Sequence, residues 1–148
     1  MNKKGFTLIE LLVVIAILGL LSTLAVVALG SAREKARDSK RLSDLKQVQT
    51  ALELYYTDQG AYPTAATAVT LGSAAAACFD GSTAGWMAKE GCTSPYMGQV
   101  PSDPGSNSYS YVSAAGTTYT ISATLEGKVG DLSGAIQLTP AGIADVAS

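Results

Sequence analysis

Residues 3–29 read KKGFTLIELLVVIAILGLLSTLAVVAL, and this stretch decides how the rest of the chain can fold. Between residues 11 and 29 no side chain is charged. At about 1.5 Å per helical residue, this run reaches roughly 29 Å, which is close to the thickness of a bilayer's hydrocarbon core. The stretch therefore predicts a membrane-spanning helix. Glu10 stands at its entrance, and a carboxylate is costly to insert there, so we expect it to have a function.

Glu10 also fits a local structural role. Thr7 and Glu10 are three residues apart, as in a capping box, where each side chain accepts a hydrogen bond from the other residue's backbone N–H. The spacing therefore predicts a helix that begins beside Thr7. A cap of this kind would explain the position of Glu10 without any further function.

The composition argues against catalysis. The chain has 148 residues, 47% of them hydrophobic, with no histidine and with Cys78 and Cys92 as its two cysteines. This inventory lacks the usual ligands of zinc sites and the Ser-His-Asp triad. There is also no phosphate-binding Gly-rich loop after a predicted strand, and no close carboxylate pair for acid–base chemistry. We predict that the chain is not an enzyme.

Charge is distributed unevenly. Residues 31–46, the basic collar, are rich in Lys and Arg, whereas acidic residues predominate from residue 61 onward. The collar contains no aromatic side chain, and its acids can pair with bases one helical turn away, as Asp38 can with Arg41. The collar is therefore predicted to be a solvated surface, at lipid headgroups or between subunits, and nucleic-acid binding is disfavoured.

A helical pattern continues beyond the apolar run. A stripe of mostly apolar residues recurs at three- and four-residue steps, formed by Leu42, Leu45, Val48 or Gln49, Leu52, and Tyr55 or Tyr56. Gly60 supplies a C-terminal cap signal and Pro63 follows it. The pattern predicts one helix from about Thr7 to Asp58, with its second half packed on a head domain.

The C-terminal half carries strand signals. Residues 108–113 and 118–125 alternate at period two around a connection that contains Gly116, which predicts a β-hairpin, and residues 135–138 predict a third strand. The side chains expected to face the helix are Tyr109, Tyr111, Tyr119, Ile121 and Leu125. Residues 63–99 show few strand signals and are predicted to be a long connection with a short helix near 74–79. The predicted fold class is α+β, with a long N-terminal helix on a small antiparallel sheet of three or four strands.

The start of the chain resembles the processing signal of the type IV pilin-like family. A short basic leader ends at Gly5, Phe6 follows, and Glu10 is the fifth residue of the processed chain. The resemblance implies that a prepilin peptidase cleaves between Gly5 and Phe6 and N-methylates Phe6. It also implies that Glu10 attracts the Phe6 amine of a neighbouring subunit during assembly, with Thr7 and Glu10 as the assembly and capping pair.

The resemblance extends into the head. The tyrosine-rich helix end with Tyr62-Pro63 is similar to the helix–loop junction of pilins, and the turn at 101–104 before a Tyr-x-Tyr strand is similar to major pseudopilins of type II secretion. These similarities imply a leader at 1–5, a membrane and assembly helix at 6–30, an amphipathic helix at 31–60 and a head domain at 61–148. In that group calcium is bound in loops after the strands. Asp103 and Asp131 are candidate ligands here, although no EF-hand-like spacing accompanies them; no other cofactor is expected.

The family places the head outside the cytoplasm, where an oxidising environment favours a disulfide between Cys78 and Cys92; free thiols or a single redox cysteine are the alternatives. A count of basic residues alone would place the head inside. The implied function is a structural subunit of a type IV pilus-like filament, held in the inner membrane before assembly. The implied partners are copies of itself, the peptidase, an assembly platform, a cytoplasmic ATPase and membrane lipid.

Other interpretations stay open. The chain could be a pseudopilin of a type II secretion or DNA-uptake system, or a membrane-anchored extracytoplasmic binding domain that never polymerises. A secretory signal peptide cleaved near Ala28-Leu29-Gly30 is a further alternative, but the apolar run is longer than such peptides need.

Overall fold

The computed structural model describes residues 5–81 and 85–146. The chain divides into two compact units between Glu34 and Lys35. Helix α1 (Leu8–Gln59) contributes residues to both units. The long N-terminal helix expected from the sequence is therefore confirmed, and the two units are described in turn.

In the first unit, α1 has no packing partner within the described protein. The apolar side chains between Leu8 and Leu29 are all exposed. One helix of the described residues, this one, is long and apolar enough to cross a membrane, and none of its apolar stretch is buried. Its apolar surface therefore needs lipid or other protein around it.

In the second unit, α1 buries one stripe against the head. The buried positions are Asp38, Arg41, Asp44, Leu45, Val48, Ala51 and Leu52. The helix ends at Gln59, and Gly60 follows with a φ of 73°, donating its N–H to the Tyr56 carbonyl at 2.8 Å. Because side chains rarely adopt this left-handed conformation, the cap predicted at Gly60 is confirmed.

The described residues of the head form two antiparallel sheets. The larger sheet has the order β1-β5-β6-β7-β8, and the smaller has the order β3-β2-β4. The strands are β1 (Ala65–Thr70), β2 (Cys78–Asp80), β3 (Trp86–Met87), β4 (Pro95–Met97), β5 (Ser110–Ser113), β6 (Thr120–Val129), β7 (Leu132–Thr139) and β8 (Gly142–Asp145). Single-turn 3-10 helices lie at Ala74–Ala76 and Lys89–Gly91.

The core lies between α1 and the large sheet. Tyr111 pairs with Ile121 across β5 and β6, and Ile121 pairs with Leu138 across β6 and β7. The five side chains predicted to face the helix are all buried, in one cluster with Leu45, Val48 and Leu52. The predicted hairpin is thus confirmed as β5 and β6, and the predicted third strand lies within β7.

The prediction for residues 63–99 was wrong. This segment is not a long connection with one helix, because it contains strand β1 of the large sheet and all three strands of the small sheet. Only a 3-10 turn at Ala74–Ala76 corresponds to the expected helix. Strand β8 was also not predicted, so the large sheet has five strands where three or four were expected.

Candidate functional site

The N-terminal motif forms a complete capping box. Both the backbone N–H and the hydroxyl of Thr7 donate to Glu10 Oε2, each at 2.7 Å, and the Glu10 N–H donates to Thr7 Oγ1 at 3.3 Å. Two of the helix's first N–H groups are satisfied by these side chains. The local role predicted for the pair is present in the structure.

Gly5 and Phe6 lie before the helix and are exposed, with 93% of Phe6 accessible. The peptide bond between them is therefore outside the helical hydrogen-bond ladder and open to a protease. Glu10 is also exposed at the start of the apolar stretch. An exposed carboxylate can bind a cation of another molecule while it also accepts the hydrogen bonds of Thr7.

A second polar cluster lies where α1, the loop before β5 and strand β6 meet. Arg41 on α1 is fully buried, and its Nε and Nη2 donate to Asp103 Oδ2 and Oδ1 at 2.7 and 2.9 Å. Its Nη1 donates to Asp38 at 2.7 Å, and its Nη2 lies 2.8 Å from Glu126. Arg37 forms a further ion pair with Glu126. We call these five residues the Arg41 cluster.

Backbone groups complete the Arg41 cluster. Asp38 accepts the N–H groups of Glu126 and Gly127 at 3.0 and 2.8 Å, and Asp103 accepts the N–H of Gly105 at 2.7 Å. Each buried carboxylate is therefore bound by both a guanidinium and the main chain. Such complete pairing is what allows charges to be buried at tolerable cost.

These contacts favour the charged forms. Arg37, followed by Arg41, lowers the pKa of Glu126 to about 2. The Arg41 guanidinium lowers the pKa of Asp103 as well. Burial alone would raise the pKa of Asp38, but the N–H groups it accepts and Arg41 outweigh burial, and its pKa is lowered. All three carboxylates are therefore ionised at neutral pH.

The prediction of a solvated collar was wrong at these positions. Asp38 and Arg41 pair on the helix as expected, but both are buried, and Arg37 pairs with Glu126 of strand β6. The sequence held a signal for this: Asp38 and Arg41 continue the stripe of Leu45 toward the N-terminus at helical spacing. Charged residues on a core-facing stripe indicate buried partners elsewhere in the chain.

The two cysteines are joined by a disulfide in the small sheet. Cys78 on β2 bonds to Cys92, with their Cα atoms 6.3 Å apart. Beside them, the buried Asp80 accepts the N–H groups of Thr93 and Ser94 at 2.8 and 2.7 Å. The covalent bond and these hydrogen bonds tie the same two segments together.

The two calcium candidates lie in different settings. Both oxygens of Asp103 accept hydrogen bonds from Arg41, whereas Asp131 is exposed in the turn between β6 and β7. Among residues 5–81 and 85–146, no group of three His, Cys, Asp or Glu residues is arranged to hold a metal ion. Asp103 and Asp131 therefore do not fit a shared calcium site, because calcium needs six to eight oxygen ligands.

An apolar helix with a capped glutamate at its entrance, and an amphipathic continuation packed on an antiparallel sheet, defines a pilin-like subunit. Comparison with known proteins narrows this class. The family profile of the prokaryotic N-terminal methylation motif matches residues 1–30, and that of the type II secretion system (T2SS), protein G, matches residues 28–136.

Individual relatives of the chain are also type II secretion proteins. The type II secretion system core protein G of Aeromonas hydrophila is 33% identical over 131 residues, which cover 87% of each chain. Its counterpart in Escherichia coli (strain K12) is 36% identical over 131 residues, 87% of this chain and 86% of the relative. The Klebsiella pneumoniae protein is 46% identical over 63 residues, 43% of this chain and 45% of the relative. No solved structure matches the chain significantly.

The chain belongs to the type II secretion system protein G family, which consists of structural pseudopilins.

Proposed function

We propose that this chain is the main structural subunit of a type II secretion pseudopilus, assembled through its N-terminal helix. The observation that carries this proposal is the Thr7–Glu10 capping box at the start of an exposed apolar helix, in a chain of the protein G family. An apolar helix surface of this extent is stable in lipid before assembly and against copies of itself afterward.

Processing prepares the subunit for assembly. A prepilin peptidase cleaves between Gly5 and Phe6 and methylates the new Phe6 amine. The positively charged Phe6 amine then pairs with the Glu10 carboxylate of a neighbouring subunit. Until assembly, each Glu10 carboxylate accepts hydrogen bonds from Thr7 of its own chain. An ion pair in an apolar surrounding is strongly coupled, because loss of either partner leaves a buried charge unpaired.

The subunit is held in the inner membrane by α1, with its head on the extracytoplasmic side, until an assembly platform and a cytoplasmic ATPase extract it. One observation supports this orientation: the disulfide, which persists in oxidising compartments. The role is structural and not catalytic. Arg37 and Arg41 of the basic collar pair with carboxylates of the head, and the collar holds no aromatic side chain on which a base could stack, so we do not expect nucleic acid as a partner.

Glu10 provides the test of assembly. The variant Glu10→Gln keeps a side chain that can accept the Thr7 hydrogen bonds but has no charge for Phe6. It should therefore be found in the membrane fraction at the wild-type level and yet fail to enter filaments. Leu12→Val, on the same exposed helix, is the matched control and should assemble normally. Normal filament yield from Glu10→Gln would refute this proposal.

The secretion role is tested in cells. Deletion of the gene should leave exported substrates unsecreted on the inner side of the outer membrane, and the wild-type gene should restore secretion. A surface pilus would carry the same N-terminal motif. Intact secretion in the deletion strain, together with loss of long surface filaments, would favour that alternative.

A further inference from the structure

Arg41 has an unusual environment for an arginine. Its side chain is fully inaccessible to solvent, and it lies on the buried stripe of α1, where Asp38 and Asp44 are also charged and the other buried residues are apolar. Three carboxylates surround it, and each comes from a different segment: Asp38 from α1, Asp103 from the loop before β5, and Glu126 from β6. One guanidinium therefore joins the three segments that form this side of the head.

The geometry uses the shape of the guanidinium. Nε and Nη2 bind both oxygens of Asp103, at 2.7 and 2.9 Å, as a two-pronged contact, while Nη1 points to Asp38 at 2.7 Å. Arginine suits such a site because its five N–H donors are fixed in one plane and its charge is permanent. Lysine offers a point charge and could not make these contacts at once.

The loop that contains Asp103 packs closely against the Arg41 side chain. A side chain at Gly105 would place its Cβ 2.9 Å from Arg41 Nη2 and 3.2 Å from Glu126 Oε1. Gly105 also donates its backbone N–H to Asp103. The absence of a side chain at Gly105 is thus part of how the loop closes over the cation.

A calcium ion at Asp103 is incompatible with this arrangement. Calcium requires oxygen ligands at 2.3–2.6 Å, and the Asp103 oxygens already accept from Arg41 and Gly105. Asp131 lies in a separate turn and takes no part in the Arg41 cluster. An ion could bind Asp103 only by displacing a fully buried guanidinium from its carboxylates.

We propose that the Arg41 guanidinium is the structural cation of this head: it pairs with and joins the carboxylates of helix, loop and sheet, and makes the fold independent of divalent metal. The proposal concerns the stability of the head alone. It does not depend on the filament role proposed above.

The metal arm of the test uses the full-length wild-type chain in detergent micelles. Thermal unfolding is followed by the near-ultraviolet circular dichroism of the tyrosines and Trp86, which all lie in the unit from Lys35 onward. The melting temperature should be the same in excess chelator and in millimolar calcium. A clear fall in the melting temperature in chelator, reversed by calcium, would overturn the proposal.

The variant arm replaces the cation. Arg41→Met keeps the length of the side chain but removes the charge and all donors, so it should lower the melting temperature by at least about 10 °C, because it leaves buried carboxylates unpaired. The melting temperature of Arg41→Lys should lie between those of Arg41→Met and wild type. Arg41→Lys is the variant to use if Arg41→Met does not fold. Arg33→Met, at an exposed collar position, is the matched control. If Arg41→Lys melts at the same temperature as Arg33→Met, the proposal is wrong.

Coupling between Arg41 and Asp103 separates pairing from mere packing. In wild type, Asp103→Asn removes one charge of the contact and should lower the melting temperature. In the Arg41→Lys background, Asp103→Asn should lower the melting temperature by clearly less, because much of the contact is already lost. Equal costs in the two backgrounds would show that the two side chains are not energetically coupled, and would contradict the proposal.

Discussion

Glu10 and Arg41 each place a charge where the helical pattern of α1 would accept an apolar side chain. Glu10 stands at the entrance of the apolar stretch and is held by Thr7. Arg41 lies on the buried stripe and is held by Asp38, Asp103 and Glu126. Both charges need specific partners, because an unpaired charge away from water is strongly destabilising. For Glu10 the proposed second partner is another subunit, whereas the partners of Arg41 are all within its own head.

Gly105→Ala tests how closely the loop fits the Arg41 cluster. The added Cβ would lie 2.9 Å from Arg41 Nη2 and 3.3 Å from Asp103 Oδ1, so the cluster must shift to make room. Overpacking of this kind typically costs about 1–3 kcal/mol of unfolding free energy. Gly98→Ala is the control, since its Cβ meets no atom within 4 Å. Chemical denaturation of both variants should separate them, and equal stability would show that the loop is not tightly fitted.

The Arg41 cluster also predicts how stability depends on pH. The pKa of Glu126 falls from 4.5 to about 2 in the folded protein, and the pKa values of Asp38 and Asp103 are lowered as well. Groups with a depressed folded pKa contribute stability that is present above the unfolded value and is lost as pH falls through the folded value. The melting temperature should therefore decline between about pH 4.5 and pH 2.

Glu126→Gln is the control for that pH dependence. The variant should be less stable than wild type at neutral pH, and its melting temperature should change less over the same acidic range. If the wild-type melting temperature stays constant or rises as the pH falls through this range, the ionised carboxylates of the Arg41 cluster do not stabilise the fold.

Among the secondary-structure elements, those with strong periodicity were predictable from the sequence. Helix α1 follows from the apolar run, the Leu45 stripe and the Gly60 cap, and the hairpin of β5 and β6 follows from alternating tyrosines. These signals are local, because each depends on residues a few positions apart. The helix and the hairpin together also identified the side of the sheet that is buried.

The small sheet was not predictable in the same way. Its strands contain only two or three residues, too few for an alternating pattern to be recognised. Contacts distant in sequence stabilise it instead: Phe79 stacks on Trp86 at 4.5 Å, Tyr55 of α1 lies 5.1 Å from Phe79, and the disulfide joins residues 14 apart. The partner of the buried Arg41 was not predictable for the same reason, because Asp103 is 62 residues away.

Removal of the disulfide should affect this small sheet first. Closing a loop of this length is worth roughly 3 kcal/mol, so the double variant Cys78→Ser with Cys92→Ser should lose about that much unfolding free energy. Trp86 is the one tryptophan of the chain and lies on β3, where Met87 pairs with Cys78, so its fluorescence reports local loosening.

The matched control for the disulfide is Ala75→Ser, at an exposed position shortly before strand β2 in the sequence. It should leave both the unfolding free energy and the Trp86 emission unchanged. If the double cysteine variant is as stable as this control, the disulfide has no role in holding the head together.

At the scale of the whole molecule, the chain combines two kinds of hydrophobic surface. The unit before Lys35 exposes its apolar side chains, whereas the unit from Lys35 onward buries a core of its own. The exposed apolar surface of the first unit must be covered by lipid or by other subunits. The N-terminal motif was sufficient to recognise the pilin-like class from the sequence, but the protein G family was identified from the match over residues 28–136.

The most direct test of the central claim is the mass and N-terminal sequence of the mature protein, purified from membranes of its native cells. A subunit destined for a pseudopilus should begin at Phe6 and carry a methyl group on the Phe6 amine, with the apolar helix retained. A chain that still begins at Met1, or one that begins after Gly30, would contradict the account.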